Sequence, residues 1–89
     1  MTELVYTASF LEDMLSVELE SKEEEIFSLC DLLAENPGLG SANLPLSIRQ
    51  RYGEQVRKFV ASPFDIVYEH DTMSDTVFLL GLVHQRASW

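Results

Sequence analysis

The chain has 89 residues and a formal net charge of −9, with 46% hydrophobic and 24% charged side chains. This length allows one hydrophobic core and is too short for two domains with separate cores, so residues 1–89 are expected to form a single domain. The balance of hydrophobic and charged residues excludes a disordered or low-complexity chain.

The first 36 residues predict a strand followed by two helices. The β-prone run Leu4–Thr7 precedes SFLE, a capping box that begins a helix at Phe10 and carries it to near Glu20. A second capping box, SKEE from Ser21, begins another helix, which the NPG sequence ends. Apolar residues recur at helical spacing in both helices and predict two apolar stripes. The first is Phe10, Met14 and Val17 with Leu11 and Leu15 beside them, and the second is Ile26, Leu29, Cys30 and Leu33, widened by Phe27 and Leu32. Two such stripes joined by a short link predict a helical hairpin.

The C-terminal half predicts a sheet. Residues 37–54 are rich in glycine and proline and predict an ordered loop, with a short turn of helix around Leu46–Gln50. Three strand-like runs follow, Gln55–Ala61, Phe64–His70 and Asp75–Val83. Strands joined by short turns form an antiparallel meander, and the N-terminal strand must then pair at an edge. The predicted class is α+β with the order β-α-α-β-β-β: a small antiparallel sheet packed against an N-terminal helical hairpin and partly open on its other face.

Charge is distributed unevenly along the chain. Residues 9–36 carry nine carboxylates and one lysine, whereas residues 44–60 carry four cations and one carboxylate. The cations are Arg49, Arg51, Arg57 and Lys58. The acidic block should repel nucleic acid, which leaves the basic block as the region suited to hold a phosphate backbone. We interpret the basic block as a working surface on the open side of the sheet, with Arg57 as the member that pairs structurally with the acidic helices.

Three residues are candidates for catalysis on an RNA backbone. Lys58 could stabilise negative charge during cleavage. His84 could transfer a proton near neutral pH, and Arg86 could hold a phosphate. Lys58 and His84 each have a plainer interpretation, as a solvated strand lysine and a structural strand-end histidine.

No metal, cofactor or membrane segment is expected. One cysteine and two distant histidines lack the spacing of metal ligands, and no glycine-rich nucleotide-binding pattern is present in the sequence. The lone Cys30 cannot form an internal disulfide and the N-terminus lacks a secretory signal pattern, so we expect a cytoplasmic protein. The longest uncharged apolar run, Thr76–Val83, is far shorter than the roughly 20 residues that span a bilayer.

Four stretches, taken in order, resemble the RelE/ParE toxin superfamily. They are LAENPGLG at Leu33–Gly40, VRKF at Val56–Phe59, FDIVY at Phe64–Tyr68 and VFLLGLVHQR at Val77–Arg86. Together with the order of helices and strands, these four stretches make the resemblance cover essentially the whole chain. The resemblance implies a bacterial type II toxin, associated with plasmid stabilisation, that inhibits growth until a cognate antitoxin wraps its sheet and helices.

The superfamily divides by target. RelE-like members are ribosome-dependent endoribonucleases that cut mRNA, whereas ParE-like members inhibit DNA gyrase. The VRKF and VHQR stretches resemble ParE-like members, while Val56 and Asp65 stand where RelE-like nucleases usually carry a second lysine and a phosphate-binding arginine. The resemblance therefore implies a ParE-like toxin that acts by binding its target. The expected target-binding residues are Arg49, Arg51, Lys58, His84, Arg86 and Trp89.

The sequence leaves two alternatives open. The first is a RelE-like endoribonuclease that acts on the ribosome and mRNA with Lys58, His84 and Arg86 as its catalytic residues. The second is a toxin-derived protein-binding module that has lost its toxicity. Cleavage of ribosome-bound mRNA would indicate the first alternative, and harmless expression would indicate the second.

Overall fold

A four-stranded sheet forms the centre of the fold in the computed structural model, which describes residues 2–88. Its strands are β1 (Glu3–Tyr6), β2 (Val56–Ala61), β3 (Phe64–Asp71) and β4 (Thr76–His84), in the order β1-β4-β3-β2. β2, β3 and β4 form the predicted antiparallel meander, and β1 lies at the edge as expected. β1 runs parallel to β4, so the sheet is mixed at this edge. Parallel pairing needs a long connection between the two strands, and the chain between β1 and β4 provides one. The predicted α+β class is confirmed and the element order matches in outline, whereas the prediction of a wholly antiparallel sheet is wrong at β1.

Two helices pack on one face of the sheet and form the predicted hairpin, α1 (Ala8–Met14) and α2 (Glu20–Glu35). The residues that recur at strict helical spacing are mostly buried there: Phe10, Met14, Val17, Ile26, Cys30 and Leu33. Leu11, Leu15 and Leu32, predicted beside them in the stripes, are exposed instead. The buried side chains pack against the sheet residues Ile66, Tyr68, Val77 and Leu79 in the main core. Each such burial contributes roughly 1.5 to 3 kcal/mol of hydrophobic free energy, so this face is the chief source of stability.

The start of α1 corrects the first predicted capping box. Thr7, and not Ser9, caps the helix: its Oγ1 accepts a hydrogen bond from the Phe10 N–H at 3.2 Å and donates to the Leu79 carbonyl at 2.8 Å. Thr7 directly follows β1 beside β4, so one hydroxyl can join the sheet to the helix. α1 therefore begins at Ala8.

The link between the helices corrects the second capping box. α1 ends at Met14, well before the predicted Glu20, and residues 15–19 form a turn and an irregular segment. α2 begins at Glu20, with Leu19 at its N-cap position and no side-chain hydrogen bond to the cap, so Ser21 lies inside the helix. The shorter α1 leaves Leu15 and Leu19 outside both helices.

The second face of the sheet is covered over part of its area by a helix, which agrees with the expectation of a partly open face. The predicted turn of helix is α3 (Leu46–Tyr52), and it packs on this face. The second core cluster there consists of Leu44, Ile48, Val56, Val67 and Val83, with Tyr52 and Leu80 against it. The sequence of a short amphipathic helix indicates that one side is apolar, but it does not indicate which surface that side packs against. The contact between α3 and the sheet was therefore not predicted.

Tyr68 fastens the loop that precedes α3 to the main core. Its hydroxyl donates a hydrogen bond to the Pro37 carbonyl at 2.7 Å and accepts one from the Gly40 N–H at 2.9 Å. Arg57 Nη1 donates to the Gly40 carbonyl at 2.8 Å, so both backbone polar groups of Gly40 are bound. Arg57 is therefore structural, as expected, although its partner is a loop carbonyl rather than a carboxylate of the acidic helices.

Candidate binding surfaces

Lys58 lies on β2 and shares the face that α3 covers. It is the cross-strand partner of Val67, a member of the second core cluster, and directly opposed residues point to the same face. Its backbone exchanges two hydrogen bonds with Ser41, both at 2.9 Å, which extends the sheet beyond β2. The Lys58 side chain is half-buried.

His84 and Arg86 are brought together at the other end of the sheet. His84 is the last residue of β4, and its ring meets the Phe64 ring edge-on with centroids 5.4 Å apart. The exposed Arg86 follows in a short helix, α4 (Gln85–Ser88), and donates its backbone N–H to His84 Nδ1 at 3.1 Å. Because Nδ1 accepts this bond, the neutral imidazole carries its proton on Nε2. Trp89, another expected target-binding residue, lies outside the described residues.

Lys58 and His84 do not share a site. Their partners on β3 are Val67 and Phe64, and the pairing between these positions is regular. An odd number of steps separates the two partners along β3, so their side chains point to opposite faces of the sheet. The sheet therefore stands between the Lys58 ammonium and the His84 imidazole, which places the predicted catalytic residues on two surfaces.

A buried carboxyl group occupies the same face as Lys58. Asp65 is 1% exposed and pairs with Val60, which lies two positions after Lys58 and points the same way. Asp65 Oδ1 accepts a hydrogen bond from Gln85 Nε2 at 3.1 Å, while Oδ2 has no partner among residues 2–88. A carboxylate here would repel a phosphate and not bind it.

The other two cations of the basic block lie in the last turn of α3, where the helix dipole favours positive charge. Arg49 Nη1 is 3.6 Å from Glu54 Oε2, and the Arg51 guanidinium lies 5.0 Å from the centre of the Tyr52 ring. Exposed ion pairs and cation–π contacts of this kind contribute about 1 kcal/mol or less. α3 thus holds both arginines on the segment that covers the Lys58 face.

A cavity that the sequence pattern did not predict lies on the His84 side of the sheet. It has a volume of about 350 Å³ and opens between the α1–α2 link and the β2–β3 turn. Its lining includes Val17, Leu19, Lys22, Pro63, Phe64 and His84. We call this cavity the linker groove. The sequence pattern predicted that α1 continues to Glu20, so the exposed link that forms one wall of the groove was not expected.

The buried thiol and phenol groups of the main core are poor nucleophiles. Burial, reinforced by the neighbouring Asp31 carboxylate, raises the pKa of Cys30 to about 12. Burial also raises the pKa of Tyr6 to about 12. Because the thiolate is the reactive form of cysteine, Cys30 acts as a small core residue.

Cys30 should therefore report on unfolding. At neutral pH we expect a disulfide reagent such as DTNB to modify Cys30 at least about a hundredfold more slowly in the folded protein than in urea, because the raised pKa and complete burial both suppress attack. Absorbance at the wavelength of the released thiolate follows the reaction. Equal rates in both conditions would contradict the buried placement of Cys30.

Within residues 2–88, no three histidine, cysteine, aspartate or glutamate side chains are grouped so that they could hold a metal ion. In the same part of the chain, no helix has the length and apolar character needed to cross a membrane. The sequence matches no protein-family model and no curated protein.

Proposed function

We propose that this chain is the toxin of a bacterial type II toxin–antitoxin pair, of the ParE-like branch of the RelE/ParE superfamily. It acts in the cytoplasm by binding its target rather than by cutting RNA. DNA gyrase is the first candidate target, and a cognate antitoxin is its neutralising partner.

The stretches that resemble the superfamily form one connected unit, which supports the family part of the proposal. Gly40, at the end of LAENPGLG, is bound by Tyr68 of FDIVY and by Arg57 of VRKF. Tyr68 in turn pairs with Leu79 of VFLLGLVHQR. Residues that jointly fasten a loop, an edge strand and two central strands are the kind that specify a common architecture.

The separation of Lys58 from His84 is the observation that favours binding over cleavage. Cleavage of an RNA backbone needs proton transfer and charge stabilisation within hydrogen-bonding reach of one phosphate. The two groups lie on opposite faces, and the buried Asp65 carboxyl group is on the Lys58 face. A surface that binds a protein target needs no such convergence.

Inducible expression in bacteria tests the proposal. Growth, the 5′ ends of cellular mRNA and the supercoiling of a reporter plasmid are followed together after induction. We expect growth arrest with altered supercoiling and intact mRNA. Codon-phased mRNA ends that appear with the arrest would overturn the proposal in favour of the endoribonuclease alternative.

Replacing Lys58 with alanine separates a binding role from a catalytic one. We expect Lys58→Ala to weaken gyrase inhibition by about tenfold or less, because one cation of a binding surface contributes roughly 1 kcal/mol. Loss of a group that stabilises a transition state costs about 10² to 10³ in rate. Dose–response curves of supercoiling inhibition measure the effect, with Met73→Ala, in an exposed turn, as the control. Complete inactivation of folded Lys58→Ala, with Met73→Ala unaffected, would contradict the binding role.

The position of α3 favours a second candidate, a toxin-derived binding module without toxicity. α3 packs over the face that carries Lys58, so a target that needs this face must displace the helix or bind around it. Harmless expression of the folded, soluble protein would support this candidate and exclude a toxin.

A further inference from the structure

Three exposed leucines follow one another at four-residue spacing, from α1 into the α1–α2 link, in the acidic part of the chain. Leu11, Leu15 and Leu19 are 46%, 86% and 67% exposed. Leu11 and Leu15 are one helical turn apart, and Leu19 follows in the α1–α2 link. We call these three residues the leucine ridge. Single exposed leucines are ordinary, but a run of three that adjoins a cavity is typical of an interaction surface.

The leucine ridge is continuous with the linker groove. Leu19 belongs to the ridge and also lines the groove, whose other walls include Phe64, Pro63 and Val17. The volume of about 350 Å³ lies within the range of sites that accept a ligand or a partner's anchoring side chains. The ridge and the groove thus offer a partner an apolar track with a recess at one end.

The charge beside this surface selects a basic partner. Glu12, Glu18 and Glu20 are exposed and adjoin ridge leucines in the sequence, and Glu18 also lines the groove. Lys22 is the cation at the groove, but its Nζ is bound by Glu25 at 3.1 Å and by the Ser62 carbonyl at 2.7 Å. The field that an approaching segment meets is therefore negative, and it favours lysine or arginine over glutamate or aspartate.

We propose that the leucine ridge and the linker groove form the docking site for a basic amphipathic helix of a partner protein. The helix places two or three apolar side chains along the ridge and into the groove, while its lysines and arginines face Glu12, Glu18 and Glu20. The inference rests on the proposed function in one respect, because it describes the segment by which the neutralising partner binds.

Two synthetic peptides of roughly 18 residues test the chemistry of the occupant, a length that gives several helical turns. Both carry leucines at helical spacing; one has lysine and arginine at the other positions, and its counterpart has glutamate and aspartate. Fluorescence anisotropy with the purified protein measures Kd. We expect the basic peptide to bind at least about tenfold more tightly than the acidic one, and this difference to shrink as salt is raised.

Surface variants locate the docking site without disturbing the core. The double variant Leu15→Ala and Leu19→Ala should weaken the basic peptide by about tenfold or more, because both side chains are exposed anchors. The matched control, Leu46→Ala with Met73→Ala, removes two other exposed apolar side chains, 57% and 97% exposed, and should leave Kd unchanged. Circular dichroism verifies that both variants are folded.

Several results would overturn the docking site. They are equal affinity for the two peptides, no binding of either, and unchanged Kd in the Leu15→Ala and Leu19→Ala variant. Sedimentation could also show that the unaltered protein is a dimer and that the Leu15→Ala and Leu19→Ala variant is a monomer. That result would assign the ridge to a second copy of this chain and overturn the proposal. Growth arrest without peptide binding would contradict the docking site and leave the proposed toxicity intact. Peptide binding without growth arrest would contradict the proposed toxicity and leave the docking site intact.

Discussion

Replacing Gly40 with alanine is expected to destabilise the domain by roughly 2 to 4 kcal/mol, because the added methyl group has no space. A Cβ at Gly40 would meet the Tyr68 hydroxyl, the nearest ring carbon of Tyr68 and, at 2.6 Å, the Lys58 carbonyl. The Lys58 carbonyl belongs to the β2 backbone and cannot rotate away. The loop must therefore retreat from Tyr68 and break the two hydrogen bonds that the hydroxyl makes with Pro37 and Gly40.

Gly38→Ala is the matched control for this prediction. A Cβ at Gly38 would meet only the Asn36 side chain, at 3.9 Å, so we expect a change within about 0.5 kcal/mol. Urea unfolding followed by circular dichroism gives both free energies, and modification of Cys30 by DTNB gives an independent ranking. Equal stability of the two alanine variants would show that the loop does not pack against Tyr68 as described.

A double-mutant cycle with Tyr68→Phe tests whether the destabilisation by Gly40→Ala arises from contact with the Tyr68 hydroxyl. Tyr68→Phe alone leaves the buried Gly40 N–H without its partner and should cost about 1 to 3 kcal/mol. In Gly40→Ala with Tyr68→Phe, the hydroxyl that opposes the methyl group is already absent. The combined loss should therefore be smaller than the sum of the two single losses, whereas strict additivity would contradict a direct contact.

The sequence predicted the core better than the helix ends, for a physical reason. Burial of Phe10, Met14 and Ile26 depends on a helical periodicity that a shift of helix start does not alter. The cap depends on which hydroxyl lies nearest the sheet, and Thr7 gains a bond to β4 that no local pattern shows. The local Ser9 signal was therefore outweighed by a tertiary contact.

The sequence likewise predicted which residues could serve a site but not how these residues are arranged in space. Lysine, histidine and arginine could be selected from the sequence because their chemistry is intrinsic. The faces on which Lys58 and His84 lie depend on the register of β2 and β4 against β3, which the sequence did not specify. The linker groove was missed for a related reason, since Leu19 lines it only because α1 ends at Met14.

Replacing Gly81 with alanine is the second large effect, and it is expected to loosen α3 from the sheet. A Cβ at Gly81 would meet the hydroxyl of Tyr52 and two atoms of its ring, the latter at 2.8 and 2.9 Å. The Tyr52 hydroxyl is buried and has no hydrogen-bond partner in the described part of the chain, so no polar contact holds the ring in place. The ring should move, at a cost of roughly 1 to 3 kcal/mol for overpacking.

Hydrogen exchange of individual amides distinguishes loosening of α3 from general destabilisation. In Gly81→Ala, amides of Leu46–Tyr52 should exchange faster, while amides of Glu20–Glu35, on the opposite face, should keep most of their protection. Adding Tyr52→Leu should restore part of the lost stability, because the shorter side chain leaves room for the methyl group. Uniform acceleration across both helices would contradict a local effect.

The same variant tests whether α3 limits access to Lys58. Ile48 and Tyr52 pack over the face that Lys58 shares, so loosening the helix should expose this face more often. If the target binds there, Gly81→Ala should inhibit gyrase at least as strongly as the unaltered protein despite its lower stability. A fall in gyrase inhibition in proportion to the lost stability would place the target-binding surface elsewhere. Loosening α3 increases access only to a surface that α3 covers, and a surface that is already exposed gains no affinity from it.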